Sequence, residues 1–212
     1  MSQIGNDLRY YTEEFRTRYL LNFVFIHINK TGGSSVERAL RLPFRHDTAL
    51  EIRQRIGERR WAKRFSFTIV RNPWDKVASH YHYRVQTDQT GLKDDTIGFN
   101  EWVKLAYGER DPRYHDKPKM FLPQSDWVCD EQGRIIVDFI GRFESLAADF
   151  GTICERIGRR AELPHLKKSR QGSDYRKAYS AESAEIVARH FARDLENFGY
   201  TFDSPSGQGD AG

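Results

Sequence analysis

A chain of 212 residues and 24.8 kDa has the size of one domain with one core, and its 13% aromatic content excludes wholesale disorder even though 30% of its residues are charged. The net charge of +4 and pI near 9.0 suit a polyanionic ligand, while arginines spread along the chain leave no focused footprint for nucleic acid. No apolar run reaches membrane-spanning length and no signal-peptide core opens the chain, so a soluble, cytoplasmic protein without membrane contact is expected.

Residues 1–20 are polar with Leu8, Tyr10, Tyr11, Phe15, Tyr19 and Leu20 interspersed, the pattern of a short amphipathic helix leading into a strand. The apolar run Phe23–Ile28 has the length and composition of a buried strand, and it turns abruptly at Asn29-Lys30-Thr31-Gly32-Gly33-Ser34-Ser35 into a helical pattern through Val36, Ala39 and Leu40. A further helix is predicted from Ala49 to about Lys63, capped by Asp47 or Thr48. The strand Phe65–Val70 ends at Arg71-Asn72-Pro73, where Asn72 suits an N-cap and Pro73 the first position of a helix running to about Arg84. Two strands that each run straight into a helix point to a single α/β domain, a central parallel sheet flanked by helices, with ligands at the strand C-termini.

Residues 87–98 read as a polar loop, 99–107 as a helix, and 108–120 as an exposed loop, with substrate contacts expected in 108–120 or 87–98. Trp127–Cys129 and Arg134–Ile140 flank a hairpin-like turn at 130–133, and 145–157 is an amphipathic helix. A basic loop at 163–172, a last helix over 181–198 capped by Gly199, and a disordered tail at 204–212 complete the chain. Cys129 and Cys154 lack metal-ligand spacing and read as reduced thiols.

The first strand–turn–helix unit is built for an anion. Backbone N–H groups and a positive helix end converge there, Lys30 adds charge, Thr31, Ser34 and Ser35 add hydroxyls, and Gly32 and Gly33 allow close backbone approach. The second unit adds a guanidinium at Arg71 and a hydroxyl at Ser79, about 9 Å along the helix from Pro73. A nucleotide P-loop of the G-x-x-x-x-G-K-[ST] type is absent, since Lys30 precedes the glycines, and this argues against a small-molecule kinase.

The run NKTGGSS resembles the 5′-phosphosulfate loop of sulfotransferases that use 3′-phosphoadenosine 5′-phosphosulfate (PAPS), close to P-K-T-G-G-T-S, with Asn29 where that family usually has proline. FTIVRNPWDKVASHYHYR resembles the same family's 3′-phosphate segment. VDFIGRFE at 137–144, LPHL with its basic loop, and the NFGY ending resemble bacterial carbohydrate-type members, and the likeness covers most of residues 22–202. The resemblance implies a P-loop NTPase-like sulfotransferase domain over 1–203 and transfer of a sulfuryl group from PAPS to a hydroxyl of a carbohydrate or small alcohol. It implies PAP as product and no metal requirement. On it Lys30 and the backbone of 31–35 hold the 5′-phosphosulfate, Arg71 and Ser79 hold the 3′-phosphate, and Lys168, Ser169 and Arg170 fold over the nucleotide.

Lys30 is expected to stabilise the leaving oxygen. Among seven histidines, His46 in RHDTALEIR is expected to be the base, because that segment resembles an H-x-T-A-x-E-I stretch of the group, with Asp47, Glu37 and Glu51 as carboxylate alternatives. His27 and His190 read as packing residues. The acceptor is open: Tyr114, His115, Lys117 and Lys119 suit a glycan or another alcohol, and a non-catalytic nucleotide-binding module on the same fold is the alternative reading. Oligomeric state is not legible.

Overall fold

The computed structural model of the chain describes residues 15–93, 97–164 and 174–204. Strands β1 (Phe23–Ile26), β2 (Phe65–Val70) and β3 (Phe139–Arg142) form one parallel sheet in the order β1-β2-β3. Phe23 lies opposite Phe65, Ile26 opposite Thr68, and Val70 opposite Arg142, so all three strands run out at one edge. Helices follow directly: α1 (Gly33–Leu40) after β1, α2 (Ala49–Ile56), α3 (Pro73–Gln86) after β2, α4 (Phe99–Val103), α5 (Leu146–Ile157) after β3, then α6 (Ala181–His190) and α7 (Ala192–Phe198).

Alternate strand residues serve opposite faces, and both faces are covered, as a helix-flanked parallel sheet requires. Val24, Ile26 and Val70 pack with Ile52 and Ile56 of α2, Trp127 and Phe198. Phe23, Phe67 and Ile69 pack with Val36 and Leu40 of α1 and with Phe150 and Ile153 of α5. A third apolar cluster, built on Trp74, Val77, Trp102, Tyr107, Val187 and Phe191, joins α3, α4 and α6 beside the sheet.

Several boundaries differ from the sequence reading, each for a local reason. His27 and Ile28 stay buried but leave the ladder after Ile26, where the chain turns. The helix expected over 49–63 breaks at Gly57 (φ 85°, ψ 149°), leaving α2 and a separate turn at Glu58–Trp61; Thr48 caps α2 in a capping box with Glu51. The helix begun at Phe99 continues as π-helical turns through Lys104–Glu109. The strand expected at Trp127–Cys129 is instead the helical turn Ser125–Val128, because the Asp194 carboxylate accepts the backbone N–H groups of Gln124 and Ser125 at 2.7 Å each. The expected hairpin survives as one antiparallel bridge, Cys129 to Ile135. The last helix bends at Phe191, and Gly199 (φ 66°) closes it as expected.

Of the expected lead-in helix only the π-helical turn Arg16–Leu20 lies within the described residues. Ser204, placed at the start of the tail, is held by Arg176, whose Nη2 donates to its carbonyl at 2.7 Å; 205–212 lie outside the described residues. Among the described residues no helix is long and apolar enough to cross a membrane, and no group of three or more His, Cys, Asp or Glu side chains is arranged to hold a metal ion.

Candidate functional site

The loop from His27 to Gly32 carries the chain from the sheet edge into α1. Lys30 adopts φ 65°, a left-handed conformation that costs a non-glycine residue roughly 1–2 kcal/mol, and Gly32 follows at φ 83° as the N-cap. No side chain caps α1. The Ser35 N–H donates to the Gly32 carbonyl at 3.0 Å, and the other N–H groups at this uncapped start lie at the positive helix end, the arrangement that suits an anion. Gly33 is required by packing: a Cβ there lies 2.0 Å from Cδ2 of His27.

Lys30 is half-buried, with Nζ 4.1 Å from the centre of the Tyr83 ring. Burial, and then the neighbouring Arg71 charge, lower its pKa to about 8. Ser34 is exposed and Ser35 half-buried on the first turn of α1. Thr31 differs from expectation: it is fully buried and its hydroxyl donates to the Ile28 carbonyl at 2.9 Å, bracing the loop from within instead of facing a ligand. Asn29, in the position where proline is usual, donates from Nδ2 to Met120 O at 2.9 Å and so anchors the loop through a side chain.

Arg71 reaches from the second unit into the first. Its Nη1 donates to the Lys30 carbonyl at 3.1 Å, its Nε to Asp75 Oδ2 at 2.8 Å, and its guanidinium lies 4.0 Å from the centre of the Phe143 ring. Nη2 makes no hydrogen bond among the described residues. Asp75, Ser79 and Tyr83 recur every four residues along α3, Arg71 precedes its cap and pairs with Asp75, and Tyr83 receives Lys30. The fold thus brings Lys30 of the first turn against Arg71 and Tyr83 of the second unit, with Ser79 about one helical turn before Tyr83 on α3.

Support for this arrangement was missed in the sequence. The Arg71 N–H donates to Gln124 Oε1 and the Asn72 N–H to Glu144 Oε1 at 2.7 Å; burial raises the Glu144 pKa, and Tyr200 donates to its other oxygen. The RFE run of 142–144 is therefore a brace, with Phe143 under the guanidinium and Glu144 under Asn72. Lys76 is fully buried on α3 with no hydrogen-bond partner for Nζ among the described residues; burial lowers its pKa to about 8.

His46 lies in the loop before α2. Its Nδ1 stands 2.9 Å from the His27 carbonyl, which can only accept, so Nδ1 carries the hydrogen and Nε2 presents the lone pair. Burial holds its pKa below the usual histidine value, which keeps the ring neutral near pH 7. The carboxylate alternatives are engaged. Asp47 pairs with Arg55 at 2.6 Å, Glu51 caps α2 and pairs with Lys119 at 2.6 Å, and Glu37 is buried against His27 and the Arg45 N–H.

Other expected contacts are structural. Tyr114 is buried in the helical cluster and so withdrawn from an acceptor, and His115, half-buried, packs on Phe121 with Nδ1 against Ala106 O. His80 is buried against Tyr107, and His190 bonds Phe121 O. Lys117 contacts Gln89, while Lys119 lies close enough to His46 to act on its charge. Lys168, Ser169 and Arg170 lie outside the described residues.

A profile described as the sulfotransferase family matches residues 14–201. An uncharacterized protein of Archaeoglobus fulgidus is 30% identical over 129 residues, spanning 59% of this chain and 94% of that one. The crystal structure of a sulfotransferase from Alicyclobacillus acidocaldarius is similar with a TM-score of 0.42 at 15% identity, over 85% of this chain and 99% of that one.

Proposed function

This chain belongs to the sulfotransferase family, and from that premise we propose that it moves a sulfuryl group from PAPS to the hydroxyl of a carbohydrate or small alcohol. One observation supports the reading: Arg71 Nη1 donates to the carbonyl of Lys30, in the loop before an uncapped helix start, so the two segments read as anion sites stand side by side. A donor with phosphates at both ends of its ribose matches two such sites.

In this reading the N–H groups of 31–35 and the Ser34 and Ser35 hydroxyls hold the 5′-phosphosulfate, and Arg71 Nη2 with Ser79 holds the 3′-phosphate. Ser169 and Arg170 belong to the same nucleotide set by resemblance. His46 Nε2 takes the proton of the acceptor hydroxyl as its oxygen bonds to sulfur. The bond from sulfur to the bridging phosphate oxygen breaks, that oxygen keeps the electron pair, and Lys30 offsets the charge. Its lowered pKa of about 8 still leaves Lys30 protonated at neutral pH, and a phosphate beside it favours that form further.

The test is transfer of labelled sulfate from PAPS to a panel of saccharides and small alcohols, with His46→Ala beside wild type. Turnover that falls about a hundredfold or more in His46→Ala, with PAP binding intact, is expected. Binding of PAP by wild type without transfer to any acceptor contradicts the catalytic assignment and leaves a nucleotide-binding module.

A further inference from the structure

Beneath His46 lies a buried pair that the chemistry above does not use. Glu37, on α1, is 5% exposed, and His27, at the end of β1, is 4% exposed. Glu37 Oε1 stands 2.8 Å from His27 Nδ1 and accepts the N–H of Arg45, the residue before His46, at 3.1 Å. Among the described residues His27 Nδ1 makes no aligned hydrogen bond, so this contact is one of proximity. The His27 and His46 rings lie 4.3 Å apart between centroids, and the His27 ring fills the space that a side chain at Gly33 would take.

A carboxylate removed from water is costly unless it faces donors or positive charge. Here one carboxylate joins three elements: the end of β1, the first helix and the loop that carries His46. The Arg45 N–H and the His27 ring face this carboxylate, and the His46 ring lies tilted against the His27 ring at 44°. A neutral ring gains little from such a neighbour; an imidazolium gains directly.

We propose, building on the sulfotransferase reading above, that His27 and Glu37 are positioning residues for His46. The His27 backbone carbonyl fixes which nitrogen is open, and the Glu37 carboxylate stabilises the positive charge that His46 acquires when it takes the acceptor's proton. The charged and titratable groups facing His46 are His27 and Lys119, which oppose that charge, and Glu37, which favours it; Lys119 is itself paired with Glu51. The rings of Phe44 and Trp127 stand edge-on to His46 at 4.9 and 6.1 Å, and the ring stays half-exposed.

Glu37→Gln tests this, because glutamine keeps an oxygen for the Arg45 N–H and removes only the charge. The ring-nitrogen resonances of His46 are titrated by NMR in ¹⁵N-labelled wild type and variant, alongside the pH profile of transfer and the affinity for PAP. Loss of a negative neighbour disfavours the imidazolium, so the His46 midpoint is expected to fall by roughly one pH unit. The acid limb of kcat is expected to move down with it, and the plateau to fall by about tenfold, less than in His46→Ala, while PAP affinity holds. A midpoint that does not move, or a kcat loss with an unmoved pH profile, overturns the proposal and makes the pair packing only. If Glu37→Gln does not fold, Glu37→Asp retains the charge one methylene further back and is expected to shift the midpoint in the same direction by less; an unmoved midpoint there overturns the proposal equally. Should wild type transfer no sulfate, the functional reading fails, and the titration by itself decides whether Glu37 acts on His46.

Discussion

The two strand-to-helix turns, β1 into α1 and β2 into α3, occupy neighbouring places at one sheet edge and are built in opposite ways. The second is closed: Asn72 is fully buried, its side chain accepts the Trp74 N–H, its own N–H goes to Glu144, and Pro73 removes another donor. The first is open: a glycine caps it without a side chain, and the loop holds a lysine in a strained conformation. A helix N-terminus is a ligand site only where capping is withheld. Where it is capped, as at α3, recognition passes to side chains on either side of the cap, here Arg71 before it and Ser79 one and a half turns after Pro73.

The largest expected effect strikes the open turn. Lys30→Ala is predicted to lower kcat by roughly 10²- to 10³-fold, the loss typical of one donor to a developing oxyanion, with stability little changed, since alanine keeps the Cβ that strains the left-handed backbone. Steady-state transfer kinetics and urea unfolding check it together. Gly33→Ala places a methyl against His27 and is predicted to cost about 1–3 kcal/mol of stability and to weaken PAP binding at the same time. Asn72→Ala at the closed turn removes a cap, for a stability loss of about 0.5–2 kcal/mol, without lowering affinity for AMP, whose phosphate belongs to the other turn. Equal effects of both substitutions on AMP binding would erase the distinction between the turns.

The smallest effect is a pH linkage with two opposite signs. Lys30 and Lys76 each have a folded pKa of about 8 against an ordinary 10.5, so the folded chain releases these protons more readily than the unfolded chain. Stability is therefore predicted to rise from about pH 8 towards pH 10.5, while affinity for PAP falls over the same window as Lys30 loses its charge. Denaturant unfolding and calorimetry at a series of pH values read the two trends. Parallel rather than opposed trends contradict a charged Lys30 in the ligand site.

What was legible in the sequence was local. The Phe65–Val70 strand, the Asn72-Pro73 start of α3 and the Gly199 stop each depend on residues within one turn of themselves, and each stands where its pattern placed it. What was not legible depends on contacts between distant residues. Asp194 turns 125–128 into a helix from 69 residues away, Glu144 braces Asn72 across 72, and His46 is oriented by a carbonyl 19 residues earlier. His27 read as packing because a buried histidine in an apolar run usually is. Its ring does pack, and nothing in the run shows that its carbonyl faces His46. Tyr114 misled in the other direction: its loop is charged and proline-bearing, yet the ring turns inward and is buried.

The most direct test of the joined anion sites is calorimetric binding of 3′-phosphoadenosine 5′-phosphate, with ADP and AMP for comparison, to wild type and Arg71→Ala. Wild type is predicted to prefer the 3′-phosphorylated nucleotide, and Arg71→Ala to lose that preference by roughly 10- to 100-fold while still binding AMP, as expected for one charged hydrogen-bonding group. Equal affinity of wild type for PAP and ADP contradicts the assignment of Arg71 and Ser79 to a 3′-phosphate, and with it the choice of donor.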